Sequence, residues 1–431
     1  MSRELERLLD FQDLREEVRG SDKHLLVGID VGKDKHHAYF GMPTGKSLRR
    51  RFAFDNNRAA FDSLRALAKD LATQHGLSPI VFGLEPTGVY HKPLLEYLIR
   101  EKEQAVLVSN VAVQRNRELL DGRWDKNDVN DPANVADLVG QARCLFPDHP
   151  TPDLRELRSF VRARARMKKQ EHALRMRIRN HLVAQYFPEL ELAYTKGAGA
   201  SNPVVLRIVE RCFDPAQIAQ LPFDAFWNQI AEPRWNKRHE ARVRQVWQAA
   251  AQSIGCPLDD AVRWEAPRLV ERLRGLREDL RELERRMNQV AQRMPGYDNV
   301  LSIPGMGPVL SAMLLAAIGD PYRFEHPRQV LRLAGLDLCA RRSGKSSERA
   351  VPRISKQGKA SLRYALVHAA MIGARANPAL RRYFSRLLAG REQERGIRRK
   401  MYVKLAARLL VVAWTLMHRV DTFRPEAFMD E

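Results

Sequence analysis

The amino-acid sequence predicts an α/β domain followed by a mainly helical region that contains a long coiled-coil arm. Three observations predict this fold class. Short β-like runs alternate with helical patterns over residues 24–145, a Pro-rich stretch lies near residue 150, and apolar residues repeat at heptad spacing over residues 269–294. The 431 residues suffice for at least two hydrophobic cores, because single domains usually contain about 100 to 200 residues.

The first region predicts the element order β-β-β-α-β-α-β-α and therefore a mixed α/β domain. Five short runs are apolar or alternate in polarity, as strands do, and three longer runs have helical spacing. Asp30 and Glu85 end two of the apolar strands, where sheets of this kind usually bind their ligands. In chain order the segments are HLLVGID, HHAYFGM, LRRRFAFD, NRAAFDSLRALAKDLATQ, PIVFGLE, YHKPLLEYLIREK, QAVLVSN and DPANVADLVGQAR.

The second region predicts two long helices. Residues 154–180 contain ten Arg or Lys residues beside an apolar stripe. In the later helix, apolar residues separated by alternating steps of four and three form an a/d seam that is typical of coiled coils. We expect the two helices to pair with each other as an antiparallel arm or with another subunit. The seam consists of Leu269, Leu273, Leu276, Leu280, Leu283, Met287, Val290 and Met294.

A helix-hairpin-helix-like element is predicted by SIPGMGPVLSAMLLAAIGD, which has Gly305 and Gly307 in its turn. Such a turn directs backbone N–H groups toward a DNA phosphate, and a plain helix–helix turn is the alternative. The patterns together divide the chain into four parts. These are an N-terminal extension (1–23), the α/β domain (24–148), the helical and coiled-coil region (149–294) and a C-terminal domain (295–431).

The charge composition predicts a polyanionic partner. The chain has 73 Lys and Arg residues against 52 Asp and Glu residues, a net charge of +21 and a pI near 10.1. Such an excess attracts nucleic acid or anionic membranes. The membrane interpretation lacks support, because the apolar stretch 405–420 contains Arg408 and is shorter than the roughly 20 residues that a membrane span requires.

The N-terminus and the cysteines indicate the compartment. The first 20 residues lack the apolar region of a signal peptide. The four cysteines are far apart in the sequence, which argues against a zinc site or a disulfide framework and indicates a reducing compartment. We therefore expect a cytoplasmic protein that binds nucleic acid.

Four acidic residues, Asp30, Glu85, Asp128 and Asp131, are candidate Mg²⁺ ligands. Phosphoryl transfer with two metal ions requires three or four carboxylates that converge from separate elements, since Mg²⁺ prefers oxygen ligands. Acids at strand ends and near a helix start are typical of an RNase-H-like nuclease core. Simpler interpretations stay open: Asp30 as a turn residue, and Asp131 as the N-cap before Pro132. Spacing alone does not reject Asp34, Asp121, Asp125 or Asp137.

A sugar-kinase-like fold is a further interpretation of the stretch GIDVG. That fold also requires a second Asp-Gly phosphate turn and a Gly-rich adenosine motif, and the sequence contains neither. The basic charge and the heptad seam have no role in such an enzyme. This interpretation is therefore disfavoured.

A basic segment near the C-terminus, residues 341–363, contains a candidate nucleophile. It has eight Arg or Lys residues and one acid. Ser343 is placed to attack a phosphate while Arg341, Arg342 and Lys345 neutralise the developing charge. The alternative, which the chemistry alone favours, is a solvated turn that touches a nucleic-acid backbone.

Five stretches together resemble the DEDD-type transposases of insertion sequences, which are bridge-RNA-guided recombinases. The stretches occur in the family's order and span nearly the whole chain. The resemblance implies an N-terminal RuvC-like domain, a coiled coil and a C-terminal transposase domain. The stretches are VGIDVGKDKHH, GLEPTGVYHKPL, KNDVNDPANVADLV, LSIPGMGPVLSAMLLAAIGDPYRF and, with one interruption, LAGLDLCARRSGKSS and RISKQGKASLRYALVHAA.

The resemblance implies a role for each matched residue. The metal-binding acids correspond to Asp30, Glu85, Asp128 and Asp131, and the serine that forms a covalent link to DNA corresponds to Ser343. One or two Mg²⁺ ions are implied. The active site is expected to be composite, with the acids and the serine supplied by different subunits of a homo-oligomer, a dimer or a tetramer.

The chain departs from the family's pattern at one motif. The late acidic motif more often reads Lys-Thr-Asp-x-x-Asp-Ala, whereas this chain has Asn127 and Pro132. Both aspartates are kept, so we interpret the change as local geometry. Ser346 and Ser347 lie close to Ser343 in the sequence and are alternative nucleophiles.

The implied partners are donor DNA, target DNA and a non-coding bridge RNA that pairs with both. Arg162, Arg166, Lys168 and Lys169 on the first long helix, and the segment 395–404, are our candidates for contacts to the nucleic-acid backbone. The resemblance implies a bacterial, nucleoid-associated protein in the cytoplasm.

Two other functions stay open from the sequence. A RuvC-like Holliday-junction nuclease needs the four acids but forms no covalent intermediate with a serine. A nucleic-acid-binding scaffold needs neither metal nor cleavage. The presence of all four acids favours an enzyme over the scaffold.

Overall fold

Five strands form a mixed sheet in the N-terminal part of the chain, in the order β3-β2-β1-β4-β5. The strands are β1 (Leu25–Val31), β2 (Lys35–Gly41), β3 (Ser47–Asp55), β4 (Ile80–Leu84) and β5 (Gln104–Leu107). The first three are antiparallel neighbours, and β4 lies parallel to both β1 and β5. The structure, a computed structural model, describes residues 3–121, 131–193, 202–339 and 353–428. Its chain separates into two compact units, Met1–Thr151 and Pro152–Glu431.

Helices cover both faces of this sheet. They are α1 (Arg3–Glu17), α2 (Arg58–His75), α3 (His91–Arg100), α4 (Asn110–Asp121) and α5 (Asp131–Gly140). The mixed α/β architecture and all five predicted strands are confirmed. The sequence prediction missed α4, whose sequence NVAVQRNRELLD is mostly polar and shows no clear apolar stripe.

The alternation of side chains along β1 separates the two faces. Leu25, Val27, Ile29 and Val31 pack with α2 and α3 in one apolar cluster. Leu26 packs on the other face with residues of α1, α4 and α5. Both faces of the central strands are buried, as parallel neighbours with helices on each side require.

The second unit is mainly helical, as the sequence predicts. Its helices are α6 (Pro152–Arg177), α7 (Ala184–Tyr186), α8 (Glu189–Ala193), α9 (Pro203–Arg211), α10 (Pro215–Gln220), α11 (Phe223–Ile230), α12 (Lys237–Ala250), α13 (Asp260–Gln292), α14 (Tyr297–Leu301), α15 (Pro308–Ile318), α16 (Pro327–Ala334), α17 (Ala360–Ala376), α18 (Pro378–Leu388) and α19 (Ile397–Arg419). A π-helical segment, Ile178–Val183, continues α6, and 3₁₀ turns lie at Pro321–Arg323 and Pro425–Phe428. A short hairpin pairs β6 (Leu338–Cys339) with β7 (Arg353–Ile354).

The two long helices α6 and α13 are antiparallel neighbours within the chain. Ion pairs link Arg164 to Glu284, Glu171 to Arg277 and Arg177 to Glu265. Residue numbers rise along α6 as they fall along α13, so the helices run in opposite directions. This is one of the two pairings that the sequence left open, and the further prediction that the pair forms a coiled-coil arm stays a prediction.

The heptad seam of α13 is only partly buried. Leu273 and Met287 have no exposed surface, and Leu280 is 5% exposed. Leu276 and Leu283, which occupy equivalent seam positions, are only half-buried. The start of α13 packs in one apolar cluster with the π-helical segment and α9–α12, and its end packs in another with α14–α19.

Helix α19 corrects one step of the argument against a membrane span. It has 23 residues and is long and apolar enough to cross a membrane by length and composition, the one such helix in the described part of the chain. The stretch 405–420, from which the sequence argument took its length, covers only part of this helix. Leu405, Leu409 and Leu410 are fully buried, so α19 is the central helix of the C-terminal apolar cluster.

Candidate active site

Two of the predicted acids lie side by side on neighbouring strands. Ile29 in β1 is in register with Leu84 in β4, so the next residues are Asp30 and Glu85. The Glu85 backbone N–H donates a hydrogen bond of 3.2 Å to the Ile29 carbonyl oxygen, which continues the pairing beyond β4. Because β1 and β4 are neighbours, these two acids lie next to each other at the ends of their strands.

Both acids are on the face of the sheet that α5 covers. Gly28 and Asp30 share one face of β1, because alternate residues of a strand do. A Cβ atom at residue 28 would be 2.0 Å from the carbonyl oxygen of Pro132 in α5. Gly83, two residues before Glu85, also lies against α5, since its Cβ would be 2.6 Å from Cγ2 of Val139. The two glycines let the helix approach the sheet.

Asp131 begins the same helix and is almost fully buried, with 2% of its surface exposed. The start of α5 lies over Gly28, next to the strand ends, and its end lies near Leu26. The helix N-terminus, which carries a partial positive charge, is therefore at the sheet edge that holds Asp30 and Glu85. Three of the four predicted acids belong to one edge of the domain.

Asp131 forms an ion pair that the sequence did not predict. Arg117 of α4 donates from Nη2 to Oδ1 of Asp131 at 2.5 Å. The Arg117 side chain is 22% exposed, and that of Asp131 is 3% exposed. A carboxylate so far from water requires a cationic or hydrogen-bonding partner, and Arg117 supplies it.

Further polar contacts join α4 to α5. Nδ2 of Asn116 donates to Oδ1 of Asn134 at 2.6 Å and to Oδ2 of Asp137 at 2.7 Å. Nδ2 of Asn134 in turn donates to the Val113 carbonyl oxygen at 2.8 Å. Asp137, which spacing could not reject as a metal ligand, thus takes part in helix–helix hydrogen bonding. The signal that sequence reasoning missed is the spacing of Val113, Asn116 and Arg117 on one helical face.

The histidine pair on β2 has one member on each face of the sheet. His37 is directly opposite Asp30 in the β1–β2 register and therefore on the α5 face. His36 is fully buried on the other face, against Phe54 and Phe61. Burial lowers the pKa of His36 and outweighs the opposing effect of Asn56.

The oxygen donors of Asp30, Glu85 and Asp131 suit Mg²⁺, which prefers carboxylate oxygens. Within the residues that the structure describes, no group of three His, Cys, Asp or Glu side chains is arranged to hold a metal ion. The fourth predicted ligand, Asp128, lies outside the described residues. The donor chemistry thus fits, and Asp131 is held by Arg117.

The predicted serine segment is also outside the described residues. Ser343, Arg341, Arg342 and Lys345 belong to it, as do Ser346 and Ser347. The residues that border it, Cys339 and Arg353, are paired across the β6–β7 hairpin. The described residues on either side of the segment are therefore neighbours.

The two glycines of the predicted hairpin have different surroundings. Gly305 has a φ of +93°, and a Cβ there would be 2.3 Å from the Ala369 carbonyl oxygen, so this glycine is required by packing. Gly307 has open space around its Cα and directly precedes α15. Only Gly307 is thus free to approach a phosphate, and the helix-hairpin-helix assignment stays a prediction.

The predicted basic contacts on α6 are mostly available. Arg162, Arg166 and Lys169 are exposed. Lys168 is exposed as well but forms an ion pair with Glu171, which is buried, with 8% of its surface exposed. Lys168 therefore neutralises a carboxylate within the protein, which weakens its assignment as a phosphate contact.

Two family profiles match the sequence. Residues 27–188 match a DEDD transposase profile of the IS110 type, and residues 297–385 match a profile described as the transposase IS116/IS110/IS902 family. Together they cover more than half of the 431 residues.

Curated relatives are similar over most of their length. The chain is 26% identical over 372 residues to the insertion element IS110 uncharacterized 43.6 kDa protein of Streptomyces coelicolor. The aligned residues make up 85% of this chain and 88% of that protein. It is 24% identical over 322 residues to the insertion element IS116 uncharacterized 44.8 kDa protein of Streptomyces clavuligerus, 74% and 78% of the two chains. It is 24% identical over 300 residues to the transposase for insertion sequence element IS1111A of Coxiella burnetii, 70% and 69% of the two chains.

Proposed function

The chain belongs to the IS110/IS116 family of insertion-sequence transposases, and from this premise we propose that it breaks and rejoins DNA by Mg²⁺-dependent phosphoryl transfer through a serine–DNA intermediate. One observation carries the proposal. Asp30 and Glu85 end neighbouring strands on one face of the sheet, and Asp131 begins the helix that covers this face. The clustering of acids at one edge is what a phosphoryl-transfer site with Mg²⁺ requires.

In this proposal Asp30, Glu85, Asp128 and Asp131 hold one or two Mg²⁺ ions. The metal, when bound, neutralises charge on the attacking and leaving oxygens. The partial positive charge at the start of α5 supports the same carboxylates. The RuvC-like character of the domain rests on the family match over residues 27–188.

Ser343 is the nucleophile of the proposed reaction. Its Oγ loses a proton and forms a bond to a DNA phosphorus atom, while the bond from that phosphorus to a deoxyribose oxygen breaks and the leaving oxygen takes up a proton to become a hydroxyl. The released hydroxyl of a second strand then attacks the serine-linked phosphate and restores both the DNA backbone and the serine. Arg341, Arg342 and Lys345 neutralise the charge that develops on the phosphate oxygens.

The proposed partners are donor DNA, target DNA and a bridge RNA, bound in the bacterial cytoplasm. The net charge of +21 supports contacts to many phosphates. The half-buried seam residues Leu276 and Leu283 support a homo-oligomer, because apolar seam positions pack against a partner helix. The composite site, with the acids and Ser343 on different subunits, rests on this oligomer.

Strand exchange by the full-length chain tests the proposal, with the RNA and the DNA ends of the element supplied. Asp30→Asn is expected to reduce cleavage at least about 100-fold, because a metal ligand is lost. Asp34→Asn is the matched control, since Asp34 is exposed and only four residues away, and it is expected to keep full activity.

The covalent intermediate separates the three candidate functions. Ser343→Ala is expected to abolish the protein–DNA adduct that denaturing gels detect, whereas Ser346→Ala and Ser347→Ala keep it. Cleavage without any adduct would identify a junction nuclease. Binding without cleavage, and without dependence on Mg²⁺, would identify a scaffold.

A further inference from the structure

The ion pair between Arg117 and Asp131 is the strongest unexplained feature of the candidate active site. It joins a carboxylate that is 3% exposed to a guanidinium that is 22% exposed. The sequence motifs assign no role to Arg117, which lies outside all five family-like stretches. An arginine in direct contact with a proposed metal ligand affects metal binding, whatever its role in folding.

Arg117 is incompletely satisfied in this position. Its Nη2 donates to Asp131, but its Nε is buried and has no hydrogen-bond acceptor among the described residues. A buried donor without an acceptor loses its hydration without compensation. The guanidinium therefore gains less from this position than one whose donors are all paired, which lowers the free-energy cost of displacing it.

The charges at this edge explain why a cation is needed there. Asp131 belongs to the sheet edge that also holds Asp30 and Glu85, and carboxylates that are close together and partly buried repel each other. Without a metal ion, Arg117 and the start of α5 are among the groups that oppose this repulsion, and Arg117 does so by direct contact with Asp131. With a metal ion, the same positive charge is unfavourable, because two cations then compete for one carboxylate.

We propose that Arg117 is a positioning residue that occupies the cation position at Asp131 in the metal-free protein and is displaced when a divalent metal ion binds. This inference rests on the proposed function, which makes Asp131 a metal ligand. Arg117 thereby keeps the acidic edge folded before the metal arrives and sets the metal affinity below the value that the carboxylates alone would reach.

Binding of Mn²⁺ to the full-length chain tests this proposal without any measurement of activity. Free Mn²⁺ is quantified by electron paramagnetic resonance during a titration. Arg117→Gln is expected to tighten Mn²⁺ binding by roughly tenfold or more, since it removes the competitor of a buried carboxylate. Arg115→Gln is the matched control: it removes the same charge from an exposed position on α4 and is expected to change the Kd less than about twofold.

Arg117→Lys provides a second test in case the glutamine variant does not fold. Lysine keeps the charge but lacks the planar fork of the guanidinium, so an intermediate tightening is expected. Unchanged or weaker Mn²⁺ binding in both Arg117 variants would overturn the proposal.

Asp131→Asn distinguishes failure of this proposal from failure of the proposed function. If Asp131→Asn weakens Mn²⁺ binding and the Arg117 variants do not tighten it, Asp131 is a ligand and the competition is absent. If Asp131→Asn leaves the Kd unchanged while Asp30→Asn weakens binding, the assignment of Asp131 as a ligand is wrong, and the proposal for Arg117 is wrong with it.

Discussion

Gly28→Ala is expected to destabilise the first unit strongly, because α5 lies directly on the backbone of Gly28. The new Cβ atom would be 2.0 Å from the carbonyl oxygen of Pro132 and 2.6 Å from the backbone nitrogen of Ala136. Ordinary contact begins at 3.4 Å, so α5 would have to move by about 1.4 Å. Both opposing atoms belong to a helix backbone, so no change of rotamer relieves the contact.

The expected loss follows from the cost of overpacking. Insertion of one methyl group into a packed core costs about 1–3 kcal/mol, occasionally more, and rigid backbone neighbours place Gly28→Ala at about 3 kcal/mol. Gly83→Ala is the matched control, since its Cβ would meet side-chain atoms of Val139 and Val135, at 2.6 and 3.3 Å. Side chains can rotate away, so we expect about 1 kcal/mol.

Hydrogen exchange measured by mass spectrometry resolves this difference in the full-length chain. Peptides from β1 and α5 are expected to lose more protection in Gly28→Ala than in Gly83→Ala. Five of the six tryptophans lie beyond residue 151, so tryptophan fluorescence monitors the second unit as an internal control. Equal losses in the two variants, or a smaller loss in Gly28→Ala, would refute the inferred contact between β1 and α5.

Three further substitutions test the burial and the charge of single side chains. Burial lowers the pKa of His36, so the unfolded chain binds a proton more readily than the folded chain does. Stability therefore falls as the pH decreases below 6.5, by at most about 1.4 kcal/mol per pH unit. His36→Leu is expected to flatten this dependence, measured as the difference in stability to urea between pH 7.5 and 5.5. Burial opposes ionisation of Glu171, but hydrogen bonds from Lys168 and Arg277 outweigh burial, so the pKa of Glu171 is lowered. Glu171→Gln is expected to cost about 1–2 kcal/mol at pH 7, because both cations that it leaves behind are partly exposed. This difference disappears as the pH falls through the lowered pKa. Leu280→Ala in the buried seam is expected to cost about 2–5 kcal/mol in the same assay.

Specific results would contradict each of these expectations. A pH slope unchanged by His36→Leu would assign the acid sensitivity to His24 and His91, whose pKa values burial also lowers. Unchanged stability in Glu171→Gln would mean that the ion pairs of Glu171 with Lys168 and Arg277 contribute nothing to stability. Half-buried Leu276 is the control for Leu280, and an equal loss from Leu276→Ala would show that the seam is buried along its whole length.

Much of the first unit is predictable from local patterns. The apolar runs in HLLVGID and PIVFGLE predict strands that end at Asp30 and Glu85, and the structure has β1 and β4 there. The helix after Asp131 follows from the Asp-Pro start, since proline favours the first helical position. These features depend on neighbouring residues and therefore leave a signal in the sequence.

The position of Arg117 is not predictable in this way. Its helix, α4, has a mostly polar sequence, and only the packing of α4 against α5 brings the guanidinium to Asp131. The same holds for Asp137, which spacing leaves as a possible ligand. A hydrogen bond from Asn116 of α4 places it in the helix–helix contact.

The sequence by itself determined the family, the basic character and the strand-end acids of this protein, because these depend on residue identity and on spacing along the chain. The tertiary structure decided that β1 and β4 are neighbours, that α5 packs closely on one face of the sheet at Gly28 and Gly83, and that Arg117 forms an ion pair with Asp131. Contacts between residues distant in sequence arise from packing of whole elements. Local periodicity carries no information about which elements meet.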